Sequence, residues 1–385
     1  MRFRLPPSRK GLLISALVSL LPMQARAQDS ASPEVRERKI RISMPSTGRE
    51  AGDEPTAREF WRILSNDLSS AGPFQVLPGG EGPGDLAGCD LQLNTRVLHG
   101  HFRPFMVQVQ VQEAGTRKSI YRRTYEGSPV WVRRMAHRIA DDFTERVTGL
   151  RGAADSRIVF SQETGPGVHE IFQVDRDGEG LIQLTHHHSL SMSPTLAPDG
   201  RLAYITYKGG PPEIWGQREP GGPHVKLFPV GSDHPGVLLS PAWAPVGNKL
   251  AFVKSDLHGH CDVMVLDLDR NRIDQLTAKA GLNTEPAWDP TGTRIAFTSD
   301  RDGTPQIFLM EADGSSPRRI TADGLYNSAP SWQPDGSHIA YESRSAGKFD
   351  VFVYDLGEGK SVRVTRGSGS SESPVWSPDG RWIAF

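Results

Sequence analysis

The 385-residue chain is long enough for two or three domains, and its 37% hydrophobic and 23% charged residues place it among globular rather than disordered proteins. A formal charge of -1 gives no basic excess with which to grip nucleic acid. Forty Gly and 30 Pro, without a low-complexity tract to hold them, mean many turns, and many short strands are their natural source.

At the start, Arg2, Arg4, Arg9 and Lys10 precede an apolar run from Gly11 to Leu21, and Ala25-Arg26-Ala27 places small residues at cleavage positions. This is the pattern of a secretory leader over residues 1–27, cut after Ala27. The apolar run is about half the ~20 residues a membrane-crossing helix needs, and no later segment approaches that length. The reading is an exported chain that does not span a membrane; an uncleaved anchor is the competing one. Residues 1–27 hold five of the 44 basic side chains and no acidic one, so the remainder carries a formal charge of about -6. Cys89 and Cys261 are the only cysteines, and both a disulfide and two free thiols stay open.

Residues 40–150 mix helix and strand signals. Lys39 to Ser43 reads as a strand, and Thr56-Ala57-Arg58-Glu59 has capping-box spacing. Ala57, Phe60, Trp61, Leu64, Leu68 and Ala71 then recur at helical intervals until Gly72-Pro73. Strands are predicted over Phe74 to Leu77, Asp90 to Val97, Phe105 to Gln112 and Lys118 to Tyr125, and Met106 to Gln112 alternates apolar with polar. A second helix opens at Ser128-Pro129, carries Val132, Met135, Ala136, Ile139, Ala140, Phe143 and Val147 on one face, and stops at Gly149. The sum is a small α/β domain with helices on a mostly antiparallel sheet. Gly82-Pro83-Gly84, in the Pro78 to Gly88 loop, lacks the following helix and third glycine of a phosphate cradle.

From residue 157 the pattern becomes a repeat. Ser193-Pro194-Thr195-Leu196-Ala197-Pro198-Asp199-Gly200 recurs with first prolines at Pro241, Pro286, Pro330 and Pro374, and Trp243, Trp288, Trp332 and Trp376 stand where Leu196 does. Each copy leads into an apolar strand such as Ile295-Ala296-Phe297. A third strand follows, such as Ile307 to Met310, and a fourth ends in Leu184-Thr185, Leu276-Thr277, Ile320-Thr321 or Val364-Thr365. Four strands per ~45 residues is the blade of a β-propeller. Pro-Asp-Gly builds the tight turn, the indole fills the wedge between blades, and the strand-centre Ala keeps that wedge thin. These residues are structural.

Enzyme signatures are missing: no G-x-S-x-G, H-E-x-x-H or P-loop occurs, and Gly359-Lys360-Ser361 has Tyr354 where the P-loop's first glycine belongs. His186-His187-His188 could ligate a metal only with help from other blades, because adjacent rings on a loop diverge. Asp175-x-Asp177-Gly178 lacks the later acidic ligands of a calcium loop and reads as a hairpin turn. No catalytic residue, metal or cofactor is predicted.

The repeated Pro-x-Trp-x-Pro-Asp-Gly units, the Asn283-Thr284-Glu285-Pro286 loop and the helix-to-propeller junction from Trp131 to Phe160 resemble the TolB family of the Tol-Pal envelope system. The resemblance implies an α+β N-terminal domain followed by a six-bladed propeller. The chain supplies blades two to five in full, a first blade without its inner strand, and only Pro374 to Phe385 of the sixth. About 40 further residues are therefore expected after Phe385, because a chain ending inside an apolar strand would leave an open edge on the flanking blades; a five-bladed ring is the other reading. The resemblance also implies a non-catalytic periplasmic protein supporting outer-membrane integrity and constriction at division. Its propeller mouth would receive the lipoprotein Pal, with Val237, Ser240, Asn283, Thr284 and Glu285 at the matching positions. Loops beginning at His186, Gly231, Ala278, Ala322 and Arg366 form that mouth, with Met192, Leu238, Leu239 and Leu282 as apolar members. The polar segment Gln28 to Lys39, including Gln28, Glu34 and Arg36, takes the place of the peptide that engages TolA; a plain solvated linker is the other reading. A propeller hydrolase or lyase, its catalytic part missing or lying in the histidine-bearing loops, is the alternative function.

Overall fold

The computed structural model describes residues 39–44, 54–78, 88–100, 103–229, 236–256, 258–278, 281–345 and 347–385, with the backbone of Leu20–Pro22. The chain divides into two compact units, Asp29–Ser156 and a second made of Met1–Gln28 with Arg157–Phe385.

In the first unit, helix α1 (Glu54–Ser70) and helix α2 (Val132–Thr148) accompany a five-stranded sheet. Alternation in Arg103–Glu113 sends Phe105, Val107, Val109 and Val111 into a dry core, whereas Gln108 is exposed. Burying each such apolar side chain is worth ~1.5–3 kcal/mol, which fixes the face and the register. Phe60, Leu64 and Leu68 of α1 and Ala136, Ile139 and Phe143 of α2 join that core. His137 Nδ1 meets Asp67 Oδ2 at 2.6 Å and ties the two helices together. A turn at Pro129–Trp131 leads into α2, and Gly149 ends it at φ 72° with its N–H on the Glu145 carbonyl, as its sequence signals anticipate.

Two expectations for this unit are corrected. The sheet order is Phe74–Pro78, Ile40–Met44, Leu91–Gly100, Arg103–Glu113, Ser119–Gly127, and its first two pairings are parallel. The sheet is mixed because α1 carries the chain from one strand to a neighbour running the same way, as a crossover requires. Helix α1 also starts at Glu54, with Pro55 in its first turn, so Thr56 lies inside the helix rather than capping it. Gly82-Pro83-Gly84 falls outside the described residues.

The second unit is a run of antiparallel sheets. The first blade has three strands, Arg157–Gly165, Val168–Asp175 and Ile182–Gln183. Four four-stranded blades follow, their innermost strands Ser191–Leu196, Leu238–Trp243, Asn283–Trp288 and Asn327–Trp332. The described residues thus form a propeller of five blades, followed by the hairpin Val375–Trp376 and Trp382–Ala384. That hairpin meets the start of the run: the Arg176 guanidinium lies 5.9 Å from the Trp382 ring centroid. Leu20–Pro22, inside the segment read as a leader, pairs along Trp382–Ala384. An unpaired strand edge takes up an extended apolar segment in this way, because its bare N–H and C=O groups need partners.

The repeat residues perform their expected tasks. Gly200, Gly292, Gly336 and Gly380 sit at φ 90°, 72°, 75° and 68°, closing the first hairpin of their blades. Asp199, Asp335 and Asp379 accept from the backbone N–H two residues on. Trp243, Trp332 and Trp376 are buried, and Trp332 Nε1 donates across the blade boundary to Ala287 O at 3.0 Å. Ala203, Ala251, Ala296 and Ala340 are fully enclosed at the strand centres.

Candidate docking site at the propeller mouth

In each four-stranded blade the inner strand carries a bulge. Ser193, Ser240, Glu285, Ala329 and Ser373, each followed by proline, have φ between 47° and 54°, and the pairing register slips there in the four complete blades. Left-handed backbone is uncommon for such residues, and its recurrence at one position shows that the blade architecture holds it in place. Antiparallel order sends every connection from an outer strand to the next inner strand toward one end of the ring. That end is the mouth.

Three residues before each bulge stand Leu190, Val237, Leu282 and Tyr326. Their carbonyls accept the N–H groups of Tyr207, Ser255, Asp300 and Arg344 respectively, so the four positions are equivalent. Val237 is 41% exposed, Leu282 46%, Tyr326 37% and its neighbour Leu325 81%. Large apolar groups held at equivalent exposed positions contribute nothing to the core, and such patches mark interaction surfaces.

The residues anticipated from the resemblance divide in two. Val237 and Thr284 reach the mouth as exposed and half-buried groups, and Ser240 occupies the bulge. Asn283 is 0% exposed: its amide donates to Cys261 O and Gly281 O, and its Oδ1 accepts from Ser299 Oγ and Arg301 Nη2. It positions the loop rather than presenting a surface. Glu285 Oε2 accepts from Thr298 Oγ1 and, across the blade boundary, from Ala329 N, both at 2.8 Å. Leu238, expected at the mouth, is 2% exposed and belongs to the core, because strand alternation points it inward after Val237. Gln28, Glu34 and Arg36 lie outside the described residues.

Several mouth residues carried no motif. Glu342 repeats the role of Glu285 one blade on, accepting from Ser328 Oγ at 2.7 Å and from Ser373 N at 2.8 Å. Burial first, then the charges of Glu285 and Glu372, raise its carboxyl above the ordinary value. Burial and the same Glu285 and Glu342 charges also raise the Tyr326 phenol. Beneath the mouth the recurrent threonines act as clamps. Thr185, Thr277, Thr321 and Thr365 donate to Glu170, Asp262, Gln306 and Asp350, and accept from the N–H groups of Ile171, Val263, Ile307 and Val351. The Leu/Ile-Thr recurrence was the sequence signal, and its spacing from an acidic or amide residue 15 positions earlier would have named the partner.

His187 Nδ1 lies 3.2 Å from Thr206 Oγ1, with its ring packed near Tyr204 and Trp215. Among the described residues His186, His187 and His188 gather no common ligand set. Asp175 and Asp177 form the expected hairpin, with Gly178 N on Asp175 O and Glu179 N on Asp177 Oδ1. Cys89 and Cys261 are free thiols.

Residues 144–385 match the family model described as the TolB beta propeller domain. A "Protein TolB homolog" of Chlorobium luteolum is 33% identical over 205 residues, 53% of this chain and 45% of that protein. The "Tol-Pal system protein TolB" of Bordetella pertussis is 27% identical over 326 residues, 77% of this chain and 68% of that protein. The chain spans about half the length of the first two curated relatives it matches, 45% and 42%. The crystal structure of TolB from Acinetobacter baumannii superposes with a TM-score of 0.76 at 22% identity, covering 95% of this chain and 90% of that one, and so shares the fold. With a family model spanning well over half its length and bladed repeats that follow the same plan, the chain belongs to the TolB β-propeller family.

Proposed function

We propose that this protein is a non-catalytic component of the Tol-Pal system, acting in the periplasm after removal of residues 1–27. Its mouth receives the lipoprotein Pal, and its mature N-terminal segment, with Gln28, Glu34 and Arg36, engages TolA. In this reading the ring closes with six blades, the hairpin Val375–Ala384 belonging to the sixth, and the complex supports outer-membrane integrity and constriction at division. The observation that carries it is the exposed apolar set Val237, Leu282, Leu325 and Tyr326 on the connections at one end of the ring. A protein partner that excludes water from these side chains gains ~25 cal/mol for each Å² of apolar surface covered.

The test is a pull-down of the protein with the soluble domain of its own organism's Pal. Retention of Pal is the expected result, and no retention under conditions where a TolB from another source holds its own Pal would sink the assignment.

A further inference from the structure

The apolar set is an arc. The half-buried Leu190 and the exposed Val237, Leu282 and Tyr326 follow one another over four consecutive blades, while the fifth equivalent position is Ser370, whose hydroxyl is turned to the Phe349 N–H. Tyr326 is fixed edge-on against Phe349, with ring centroids 5.7 Å apart, so the largest member of the arc is held in place before any partner arrives. Preorganisation of this kind spares the partner the entropy of ordering the ring.

Beside the Tyr326 end of the arc stand Glu285 and Glu342. They converge on consecutive residues just after Tyr326, Ser328 Oγ donating to Glu342 and Ala329 N to Glu285, and the charges of Glu285 and Glu372 reach Glu342. Their hydrogen bonds come from hydroxyls and backbone N–H groups: Thr298 and Ala329 for Glu285, Ser328 and Ser373 for Glu342. Among the described residues no lysine, arginine or histidine forms an ion pair with either carboxylate. Two cations stand nearby. Arg301 donates to Asn283 and Ser299 and lies over Phe297 and Phe308, whereas Arg344 is exposed, lies 6.0 Å from the Phe349 ring centroid and acts by its charge on Tyr326 without pairing with either carboxylate. Two adjacent half-buried carboxylates without a direct ion pair are an expensive arrangement for the isolated protein, and a partner's cation relieves it.

We propose that the mouth takes a partner segment in which a lysine or arginine is flanked by apolar side chains. The apolar groups seat on Leu190, Val237, Leu282 and Tyr326, and the cation sits at Glu285 and Glu342. This rests on the mouth being a docking face, as proposed above, and adds the chemistry that face selects.

A phage-displayed library of random short peptides, selected on the full chain and counter-selected on the Leu282→Ser/Tyr326→Ser double variant, tests this without presuming the natural partner. The expected result is enrichment of peptides carrying Lys or Arg between apolar residues. Their binding should fall about tenfold in Glu342→Gln and weaken with added salt, as a partly desolvated charge pair demands. Enrichment of acidic or uncharged peptides, binding indifferent to Glu285→Gln and Glu342→Gln, or no enrichment over the counter-target overturns the proposal. Glutamine keeps an acceptor for Ala329 N or Ser373 N, so these variants retain the fold, and a cooperative melt at no lower temperature than that of the unaltered protein checks that they do. Cationic peptides enriched while Pal fails to bind would overturn the named partner and leave this chemistry standing. Pal binding that ignores both glutamine variants would do the reverse.

Discussion

Glu342 sits where three effects meet: enclosure by neighbouring blades, two hydrogen bonds that favour its charged form, and the like charges of Glu285 and Glu372 that oppose it. Enclosure and repulsion win, so the carboxyl titrates above its ordinary 4.5. The sign of the linkage follows. A carboxyl whose folded value lies above its unfolded value binds protons more tightly in the folded state, so it destabilises at neutral pH. That penalty fades as the pH falls through the raised folded value toward the unfolded one. Glu342→Gln should therefore raise the melting temperature at pH 7, with the gain shrinking as both proteins are brought below the ordinary carboxyl value. Thermal melts of both proteins at neutral and acid pH measure it; a gain that persists or grows in acid would contradict the assignment. Stability gained by removing a charge from a docking face is the usual exchange at functional sites.

At the scale of the element, the first blade and three of the four complete ones are closed at the outer edge by a threonine that accepts one N–H and donates one hydroxyl proton. Thr321, for example, joins Ile307 N to Gln306 Oε1. Thr321→Val keeps the shape but strands the buried Ile307 N–H and leaves Gln306 Oε1 with Asn327 Nδ2 as its remaining donor, which costs about 1–3 kcal/mol. We expect a lower urea midpoint with native far-UV circular dichroism, and an unchanged midpoint would remove the clamp from the account. The blades were legible in the sequence because their turns and wedges need particular residues: Pro-Asp-Gly where the chain must reverse, indoles where neighbouring sheets diverge, alanines where they press together. The clamps were half legible, as a recurrent Thr without its partner. The parallel pairings of the N-terminal sheet were not legible, because strand periodicity reports which face is buried and carries no sign of direction. Glu342, Leu325 and Tyr326 were missed for a related reason: a partner-facing side chain obeys no internal packing rule and leaves no period.

For the molecule as a whole, the mouth has two layers that adjacent residues separate. Asn283 belongs to the inner one, fully buried, its amide holding Cys261 of the preceding blade and Gly281 of the connection while Ser299 and Arg301 hold its carbonyl. Thr284 belongs to the outer one, half-buried and paired with Thr298 at the rim. Thr284→Arg puts a long, charged side chain on that rim, where it can extend into water along its own stem, so its effect on stability should stay within about 0.5 kcal/mol. It also sets a cation and added bulk on the face that a partner must cover. Partner binding should disappear while the melting curve stays in place. Asn283→Ala should behave in the opposite order, lowering the melting temperature first because it strands buried polar partners, and weakening binding only as the loop loosens. Parallel melts and pull-downs on the two variants decide between a docking face built on a rigid ring and a loop whose every residue is structural: if Thr284→Arg binds as the unaltered protein does, the mouth is not where the partner sits.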